Sequence, residues 1–341
     1  MQRCTNCNFR KPSSSGRSEY PRLQQGGTIH NYLFLGLTVS IRSALMSAVL
    51  RRTIKKQLDN LEDVALFREN MAKADGLSAK TPDNVTVTPL SIPGATGVSI
   101  PCEWLQMEEA STKPVLLYFH GGCYVFGGLN SHRDIAWRLA EAGDVRVLLV
   151  DYRLAPEHPF PAALEDSIEC YRWLLAQGIA PDQIAIGGDS AGGGLSVATM
   201  VNIKNLGMPM PNCAILLSPW TDLSLSGDSV KANASSDVML TAGALKKTSG
   251  HYLGQSDHTA PLASPLFADL SGLPATFVQV SESEILLSDA QRLVTKIVDA
   301  GGEAKLETWP NMPHVWQILA SRIPEGKAAI AKLGEFLKVR L

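Results

Sequence analysis

From residue 114 to the C-terminus, short and almost continuously apolar runs alternate with longer segments of helical periodicity. The apolar runs are 114–120, 145–153, 183–189, 212–220, 275–281 and 304–310. The helical segments are 132–143, 160–178, 191–200, 288–302 and 324–341. Strands that are apolar on both faces are typical of a parallel sheet covered by helices on each side. The pattern therefore predicts an α/β fold with a doubly wound, mostly parallel sheet.

Two segments interrupt this alternation. The chain before about residue 85 has a helical, polar pattern, and so does the stretch 223–258. An insertion of this kind late in an α/β domain commonly forms a lid over the site. We therefore expect a core made of residues 86–222 and 259–341, interrupted by the insertion 223–258. Residues 1–45 lack the alternation and are expected to be a poorly defined extension that catalysis does not need.

Composition and charge narrow the class of partner. The 341 residues include 31 lysines and arginines against 33 aspartates and glutamates, a formal net charge of -2. This balance provides no basic surface for nucleic acid, so we expect a small-molecule partner. Cys4 and Cys7 form a C-x-x-C without a second half at ligand spacing, so no metal site is predicted. The apolar stretch 31–50 contains Arg42 and is too short for a membrane span of roughly 20 uninterrupted residues. We expect a cytoplasmic protein, with membrane-surface binding by this stretch as the alternative.

The residues from Gly188 to Gly192 read Gly-Asp-Ser-Ala-Gly and lie between an apolar run and a helical segment. Gly-x-Ser-x-Gly at a strand–turn–helix junction is the nucleophile elbow of α/β-hydrolases. The glycines allow a very sharp turn, which raises the serine hydroxyl at the carboxyl end of the sheet. The following helix directs its free N–H groups and the positive end of its dipole to the same point. Ser190 is therefore the predicted nucleophile.

A serine hydroxyl is a weak nucleophile and needs a general base. In this fold the acid and then the histidine follow the nucleophile along the chain. Three histidines follow Ser190, and two of them lie within the insertion. The third, His314, lies in a loop directly after the apolar run 304–310. His314 is therefore the predicted base.

The acid is expected directly after the apolar run 275–281. Three carboxylates follow that run, those of Glu282, Glu284 and Asp289. Glu282 comes so soon after the run that its side chain is expected to point along the strand end. Asp289 falls in the first turn of a predicted helix, where the helix dipole already explains an aspartate. Position along the chain therefore does not decide which of these three carboxylates is the acid.

The tetrahedral intermediate of acyl transfer needs backbone N–H donors for its oxyanion. The first apolar run is followed by His120-Gly121-Gly122, which matches the HGGG-type loop that supplies such donors in lipases and esterases. Glycines let the backbone turn its N–H groups inward, and the residue after the nucleophile supplies another donor. The predicted oxyanion hole therefore consists of the N–H groups of Gly121, Gly122 and Ala191.

Together these motifs resemble the bacterial branch of the hormone-sensitive-lipase family of α/β-hydrolase carboxylesterases. The segments that carry the resemblance are HGGCYVFG from His120, DYRLAPEHPFPAALED from Asp151, GDSAGG from Gly188, SPWTDL from Ser218, SPLFADLSGLP from Ser264 and MPHVW from Met312. They follow the family's order and spacing from about residue 46 to the C-terminus, with a GDSAG rather than a GTSAG elbow. The resemblance implies a serine carboxylesterase that hydrolyses short-to-medium acyl esters without metal or organic cofactor. It also implies a helical cap built from residues 46–85 and the insertion.

The resemblance further implies roles for individual residues. The family's usual acid stands in a DPL motif, which is EIL here, so Glu284 takes the place of the acid. The third glycine of the HGGG loop is replaced by a cysteine. The residues expected to contact the substrate are Cys123, Tyr124, Phe126, Asp189 and Trp220. The bulk of Tyr124 and Phe126 is expected to limit the acyl chain to short lengths.

Four polar residues near these motifs are interpreted as structural rather than chemical. Arg153, Glu157 and His158 belong to the DYRLAPEH segment and are expected to form a buried polar network behind the oxyanion loop. His120 is expected to hold that loop through hydrogen bonds.

Two alternatives to an esterase remain open at this point. Gibberellin receptors resemble the same family but have lost the catalytic histidine, so a non-catalytic small-molecule receptor is one alternative. The presence of both Ser190 and His314 favours the enzyme. The second alternative is an amide or lactone hydrolase with the same triad, because contacts with the lid set the substrate. A homodimer is compatible with the sequence.

Overall fold

The computed structural model describes residues 39–59, 61–75, 80–95, 97–107 and 112–341. Within these residues the chain forms eight strands and ten α-helices. The strands are β1 (Thr86–Pro93), β2 (Ser99–Gln106), β3 (Val115–Phe119), β4 (Arg146–Val150), β5 (Ile184–Asp189), β6 (Cys213–Leu217), β7 (Ala275–Ser281) and β8 (Ala304–Trp309). The helices are α1 (Ile41–Arg52), α2 (Ile54–Asp59), α3 (Val64–Asp75), α4 (Leu129–Gly143), α5 (Ala162–Ala176), α6 (Ala191–Asn205), α7 (Ser229–Ala232), α8 (Ala242–Leu253), α9 (Leu287–Asp299) and α10 (Pro324–Arg340).

The strands form a single mostly parallel sheet in the order β1-β2-β4-β3-β5-β6-β7-β8. Every neighbouring pair from β4 to β8 is parallel, whereas β1 pairs antiparallel with β2 and β2 pairs antiparallel with β4. The predicted α/β-hydrolase fold is confirmed. The antiparallel edge was not predicted, because β1 and β2 are partly exposed and lack a continuous apolar run.

The sheet has a buried core on each face because successive side chains of a strand point to opposite sides. In β3, Leu117 and Phe119 belong to one core and Leu116 and Tyr118 to the other. Helices α5, α6 and α9 contribute side chains to the first core, and α4 and α10 contribute to the second. Strands β3 and β6 are therefore buried along their whole length. Covering both faces leaves the carboxyl edge of the parallel strands for a site.

The N-terminal helices are tied to the rest of the chain. Ser40 caps helix α1, and its N–H and hydroxyl donate to the Glu325 carboxylate at 2.7 and 3.1 Å. Ser43 is buried, and its hydroxyl points to the Met312 sulfur at 3.7 Å. Arg51 donates to the Ser235 carbonyl at 2.9 Å, which connects α1 to the insertion. The expected boundary after residue 45 therefore falls inside a helix that contacts the core.

Several expectations about the N-terminus concern residues 1–38. That part of the extension, with Cys4, Cys7 and the start of the apolar stretch 31–50, lies outside the described residues. Across the part of the chain that the structure describes, no helix combines the length and apolar character needed to cross a bilayer.

Candidate active site

Ser190 lies at the turn between β5 and α6, with φ 52° and ψ -121°. This backbone conformation is unfavourable for a residue with a side chain and is held by the surrounding structure. A Cβ at Gly188 would lie 2.4 Å from the Gly192 carbonyl oxygen, and a Cβ at Gly192 would lie 2.0 Å from that of Phe119. Only glycine fits at both positions. The local structure is the sharp strand-to-helix turn that the motif predicts.

His314 follows β8, and its imidazole is held by a carboxylate. The His314 Nδ1 lies 2.5 Å from Glu284 Oε2. The His314 Nε2 has no hydrogen-bond partner among the described residues, and His314 lines the same cavity as Ser190. Burial disfavours the imidazolium, but the charge and hydrogen bond of Glu284 outweigh it, so the pKa of His314 lies above its ordinary value of 6.5. The ring is therefore oriented with one nitrogen bound to a carboxylate and the other towards the cavity.

Glu284 is buried and fully engaged by hydrogen bonds. Its Oε1 accepts from the Ser218 hydroxyl at 2.7 Å and from the Ser281 N–H at 2.8 Å, which leaves Oε2 for His314. The insertion holds the same turn: the Asn233 side-chain amide donates to the Glu284 carbonyl at 2.7 Å, and the Ile285 N–H donates to the Asp237 carboxylate at 2.9 Å. The carboxylate therefore has a fixed orientation.

The other two candidate acids have different partners. Asp289 Oδ2 accepts from the N–H groups of Thr221 and Asp222 at 2.8 and 2.9 Å. Burial raises the pKa of Asp289 to about 7, although these two hydrogen bonds oppose the rise. Glu282 accepts from the Thr308 hydroxyl at 3.1 Å. Among the described carboxylates that follow β7, Glu284 is the one that reaches His314.

The loop after β3 differs in one respect from the predicted oxyanion hole. The Gly121 N–H donates to Asp189 Oδ1 at 3.1 Å and faces His132 Nε2 at 3.2 Å, so it already has acceptors within the protein. The cause is the buried Asp189 carboxylate, which needs donors and also accepts from the Tyr118 hydroxyl at 2.9 Å. A Cβ at Gly121 would lie 2.2 Å from Asp189 Oδ2. Sequence reasoning missed this contact because it lies between residues that are far apart in the chain.

The next backbone groups in the loop are oriented differently. Gly122 and Cys123 have φ values of 120° and 53°, and both residues line the cavity. Within the described part of the chain, the N–H groups of Gly122, Cys123 and Ala191 donate no hydrogen bond. Three backbone donors therefore remain available beside Ser190.

The cavity above Ser190 has a volume of about 590 Å³ and two unlike walls. The apolar wall comes mainly from the N-terminal helices, the insertion and the segment after His314. Its side chains are Leu50, Ile54, Leu58, Met71, Met239, Leu240, Val315, Ile318 and Leu319. The polar wall follows the oxyanion loop and consists of Arg68, Glu103, Asn130, Ser131, His132, Arg133, Asp151 and Asp189. The described residues contain no cluster of histidine, cysteine and carboxylate side chains that could hold a metal ion.

The expected substrate contacts fall into two groups. Cys123, Phe126 and Asp189 line the cavity. Tyr124 and Trp220 are buried and are absent from its described lining. The Tyr124 ring stacks on Tyr252 with centroids 3.7 Å apart, and the Trp220 indole N–H donates to the Asp222 carbonyl at 3.2 Å. These two aromatic side chains belong to the protein core and do not border the space that a substrate chain would fill.

The expected buried network behind the oxyanion loop is wrong in part. Arg153 pairs with Asp166, as a buried network would require. Glu157 instead has a side chain that is 53% exposed and pairs with Arg68, and His158 is exposed. The DYRLAPEH segment turns outwards after Ala155, which brings these two residues to the surface.

His120 is buried within the oxyanion loop. Its Nδ1 donates to the Gly121 carbonyl at 2.7 Å, and its own carbonyl accepts from the Tyr152 hydroxyl at 2.7 Å. The His120 and Tyr152 rings stack with centroids 4.2 Å apart. These contacts fix the loop to the end of β4.

The sheet order, the strained serine turn and the histidine–carboxylate pair at the carboxyl edge define an α/β-hydrolase. A family model described as alpha/beta hydrolase fold matches residues 116–318, and the chain belongs to that family. The resemblance to bacterial hormone-sensitive-lipase esterases is confirmed by the relatives described next.

Two sequence relatives and one solved structure illustrate this placement. An acetyl-hydrolase of Streptomyces hygroscopicus is 40% identical over 236 residues, which cover 69% of this chain and 79% of the relative. An esterase of Acinetobacter venetianus is 34% identical over 313 residues, which cover 91% of this chain and 97% of the relative. The crystal structure of an esterase from the bacterial hormone-sensitive lipase family superposes with a TM-score of 0.82 at 41% identity, covering 89% of this chain and 99% of the other.

Proposed function

We propose that this esterase cleaves carboxylic esters through a covalent acyl-enzyme on Ser190. The observation that carries the proposal is the 2.5 Å hydrogen bond between His314 Nδ1 and Glu284, with His314 Nε2 unpartnered in the described structure beside the Ser190 cavity. A base held in this way accepts the serine proton as the hydroxyl attacks the ester carbonyl. The same histidine then donates that proton to the leaving alcohol.

Water completes the reaction by the reverse sequence of proton transfers. His314 takes a proton from water, the hydroxide adds to the acyl carbonyl, and Ser190 leaves as the acid is released. Glu284 orients the ring and stabilises the imidazolium that forms in each half-reaction. The Ser218 hydroxyl and the Ser281 N–H donate to its Oε1 and hold the carboxylate in this position.

For the oxyanion we propose the N–H groups of Gly122, Cys123 and Ala191. Gly121 is left out because its N–H already donates to Asp189. The start of α6 at Ala191 adds the positive end of the helix dipole. Donors fixed in a dry site are worth more than donors in water, because they need no reorganisation as charge develops.

For the substrate we propose a short-to-medium acyl ester, under a cap formed by α1, α2 and the insertion. Phe126 and the apolar wall line a cavity of about 590 Å³. Each methylene that enters such a wall gains about 0.8 kcal/mol until the space is filled. kcat/KM is therefore expected to rise with acyl length and then to fall once the chain no longer fits.

The test is turnover of 4-nitrophenyl esters from acetate to palmitate by the wild-type protein and by Ser190→Ala. We expect hydrolysis by the wild type, a preference for short or medium chains, and a loss of several orders of magnitude in kcat in the variant. Stoichiometric labelling by a radioactive organophosphonate should require Ser190. A variant that keeps near-normal activity would contradict the mechanism. Ligand binding without turnover would indicate a receptor, and faster cleavage of matched amides or lactones would change the substrate class.

A further inference from the structure

Asp151 follows β4 and lies on the polar wall of the cavity. Phe119 of β3 pairs with Val150 on one side and with Gly188 on the other, so Asp151 and Asp189 are level at the carboxyl edge. Adjacent strands lie about 4.8 Å apart, which separates Asp151 from the Ser190 turn by about 10 Å. A substrate held at Ser190 could therefore reach Asp151 with the far end of a medium-length chain.

Among the charged side chains that line the cavity, Asp151 is the one without a hydrogen bond to a described residue. Its side chain is 38% exposed, and no hydrogen bond from a described residue reaches its oxygens. Burial, with a smaller contribution from the Glu103 charge, raises the pKa of Asp151 to about 6. The carboxylate is therefore ionised at neutral pH and above.

The charged groups near Asp151 already have partners within the protein. Glu103 of β2 accepts two hydrogen bonds from the Arg133 guanidinium of α4, at 2.9 and 2.7 Å. Arg68 of α3 lines the cavity but is bound to Glu157 and to backbone carbonyls. In each pair the two charges neutralise each other, so neither Arg68 nor Arg133 is available to Asp151.

His120 is the nearest titratable group and does not neutralise Asp151 either. Its Nε2 lies 3.9 Å from Asp151 Oδ1 and has no hydrogen-bond partner among the described residues, although the side chain is fully buried. Burial lowers the pKa of His120 to about 3, so the ring is neutral. Because Nδ1 donates to the Gly121 carbonyl, Nε2 carries a lone pair. The His120 Nε2 therefore offers the Asp151 carboxylate no donor, and a donor for Asp151 has to come from a ligand in the cavity.

We propose that Asp151, about 10 Å from the Ser190 turn, is a specificity-determining residue that binds a primary ammonium group at the far end of the substrate chain. The proposal rests on the proposed ester hydrolysis at Ser190. An ammonium supplies three donors and the positive charge that Asp151 lacks as a partner. The substrate carries this ammonium either on its acyl chain or on its alcohol. The two pairs of esters compared below distinguish these positions.

The first experiment compares matched esters with the wild-type protein. 4-Nitrophenyl 6-aminohexanoate is compared with the heptanoate, and 6-aminohexyl acetate with heptyl acetate. We expect kcat/KM for the ammonium ester to exceed that of its neutral partner by at least about tenfold in one pair, which identifies the arm that reaches Asp151. Neutral esters that are hydrolysed as fast as, or faster than, both ammonium esters would overturn this proposal and leave the esterase mechanism intact. Hydrolysis of none of the four would instead contradict the proposed function.

The second experiment assigns the preference to Asp151. Asp151→Asn keeps the shape of the side chain, and we expect it to reduce the ammonium-to-neutral ratio by about tenfold or more. Asp182→Asn, an exposed residue outside the described cavity lining, is the control and should leave the ratio unchanged. A ratio that survives Asp151→Asn would overturn the assignment.

The wild-type pH profile gives a readout that does not depend on folding of a variant. The two esters of a pair share the titration of His314, so their ratio isolates the groups around Asp151. Those groups are Glu103 from β2, His120 after β3, and His132 and Arg133 from α4. We expect the ratio to fall towards one between pH 7.5 and 5, as Asp151 takes up its proton. A ratio that stays constant over this range would contradict the proposal.

Discussion

Replacing Glu284 by glutamine tests the proposed acid, because the structure dictates how the new amide must orient. Oε1 of Glu284 accepts two donors, the Ser218 hydroxyl and the Ser281 N–H. In Glu284→Gln the amide oxygen must take this position, since an amide NH₂ there would face two other donors. The NH₂ group then occupies the Oε2 position and donates to His314 Nδ1. This imposes the tautomer with a proton on Nε2, which cannot act as a base towards Ser190.

The expected loss is large although the change is only from an oxygen to an NH₂ group. Imposing the wrong tautomer on a triad histidine costs about 10⁴ in kcat in a serine protease, and we expect the same scale here. At about 1.36 kcal/mol per tenfold, this corresponds to about 5 kcal/mol of transition-state stabilisation. Binding of the ground state changes much less, so KM is expected to stay within about tenfold.

The assay is steady-state hydrolysis of 4-nitrophenyl butyrate, with circular dichroism and thermal unfolding as checks of folding. Asp289→Asn is the matched control, because Asp289 is a buried carboxylate after the same strand that accepts from Thr221 and Asp222. An asparagine oxygen can accept both bonds, so kcat should stay within about tenfold of the wild type. If Asp289→Asn loses 10⁴ and Glu284→Gln does not, the reasoning is refuted.

Two further predictions concern titration and packing. The acid limb of the kcat/KM profile should have an apparent pKa above 6.5, with activity rising as His314 loses its proton, and Glu284→Gln should move that limb to lower pH. An apparent pKa at or below 6.5 would count against the ion pair. Gly192→Ala should destabilise the fold by about 3 kcal/mol or more, because its Cβ meets the Phe119 carbonyl at 2.0 Å. Gly250→Ala, in open space on helix α8, should stabilise by about 1 kcal/mol, and urea unfolding measures both.

The parts of the fold that depend on local pattern were predictable from the sequence. Strands β3 to β7 are recognisable as apolar runs because both of their faces are buried, whereas β8 lies at the edge of the sheet and has an exposed lysine. The turn around Ser190 was predictable because two glycines at fixed spacing are a steric requirement. Strand β1 was not, because it contains two prolines and is exposed at several positions. An edge strand of this kind lacks the regular alternation of apolar and polar residues that would distinguish it from a loop in the sequence.

The geometry of the candidate site was predictable where position along the chain determines contact. His314 and Glu284 follow neighbouring parallel strands, so their approach follows from the topology. The direction of the Gly121 N–H and the burial of Tyr124 could not be predicted, since each depends on a partner distant in sequence, Asp189 and Tyr252 respectively. The unpaired state of Asp151 was missed for the same reason, because it depends on which cations are already bound elsewhere.

The hydrogen bonds from the insertion to the Glu284 turn have a consequence for attempts to redesign this enzyme. Asn233 and Asp237 belong to the segment that covers the cavity. Asn233 donates to the carbonyls of Glu282 and Glu284, and Asp237 accepts from the Ile285 N–H, so the two residues hold the backbone around the proposed acid. A chimaera that received this segment from a relative would exchange substrate contacts and acid support in one step. Substrate range and rate should therefore change together in such chimaeras, unless the donor segment retains an amide and a carboxylate at these two places.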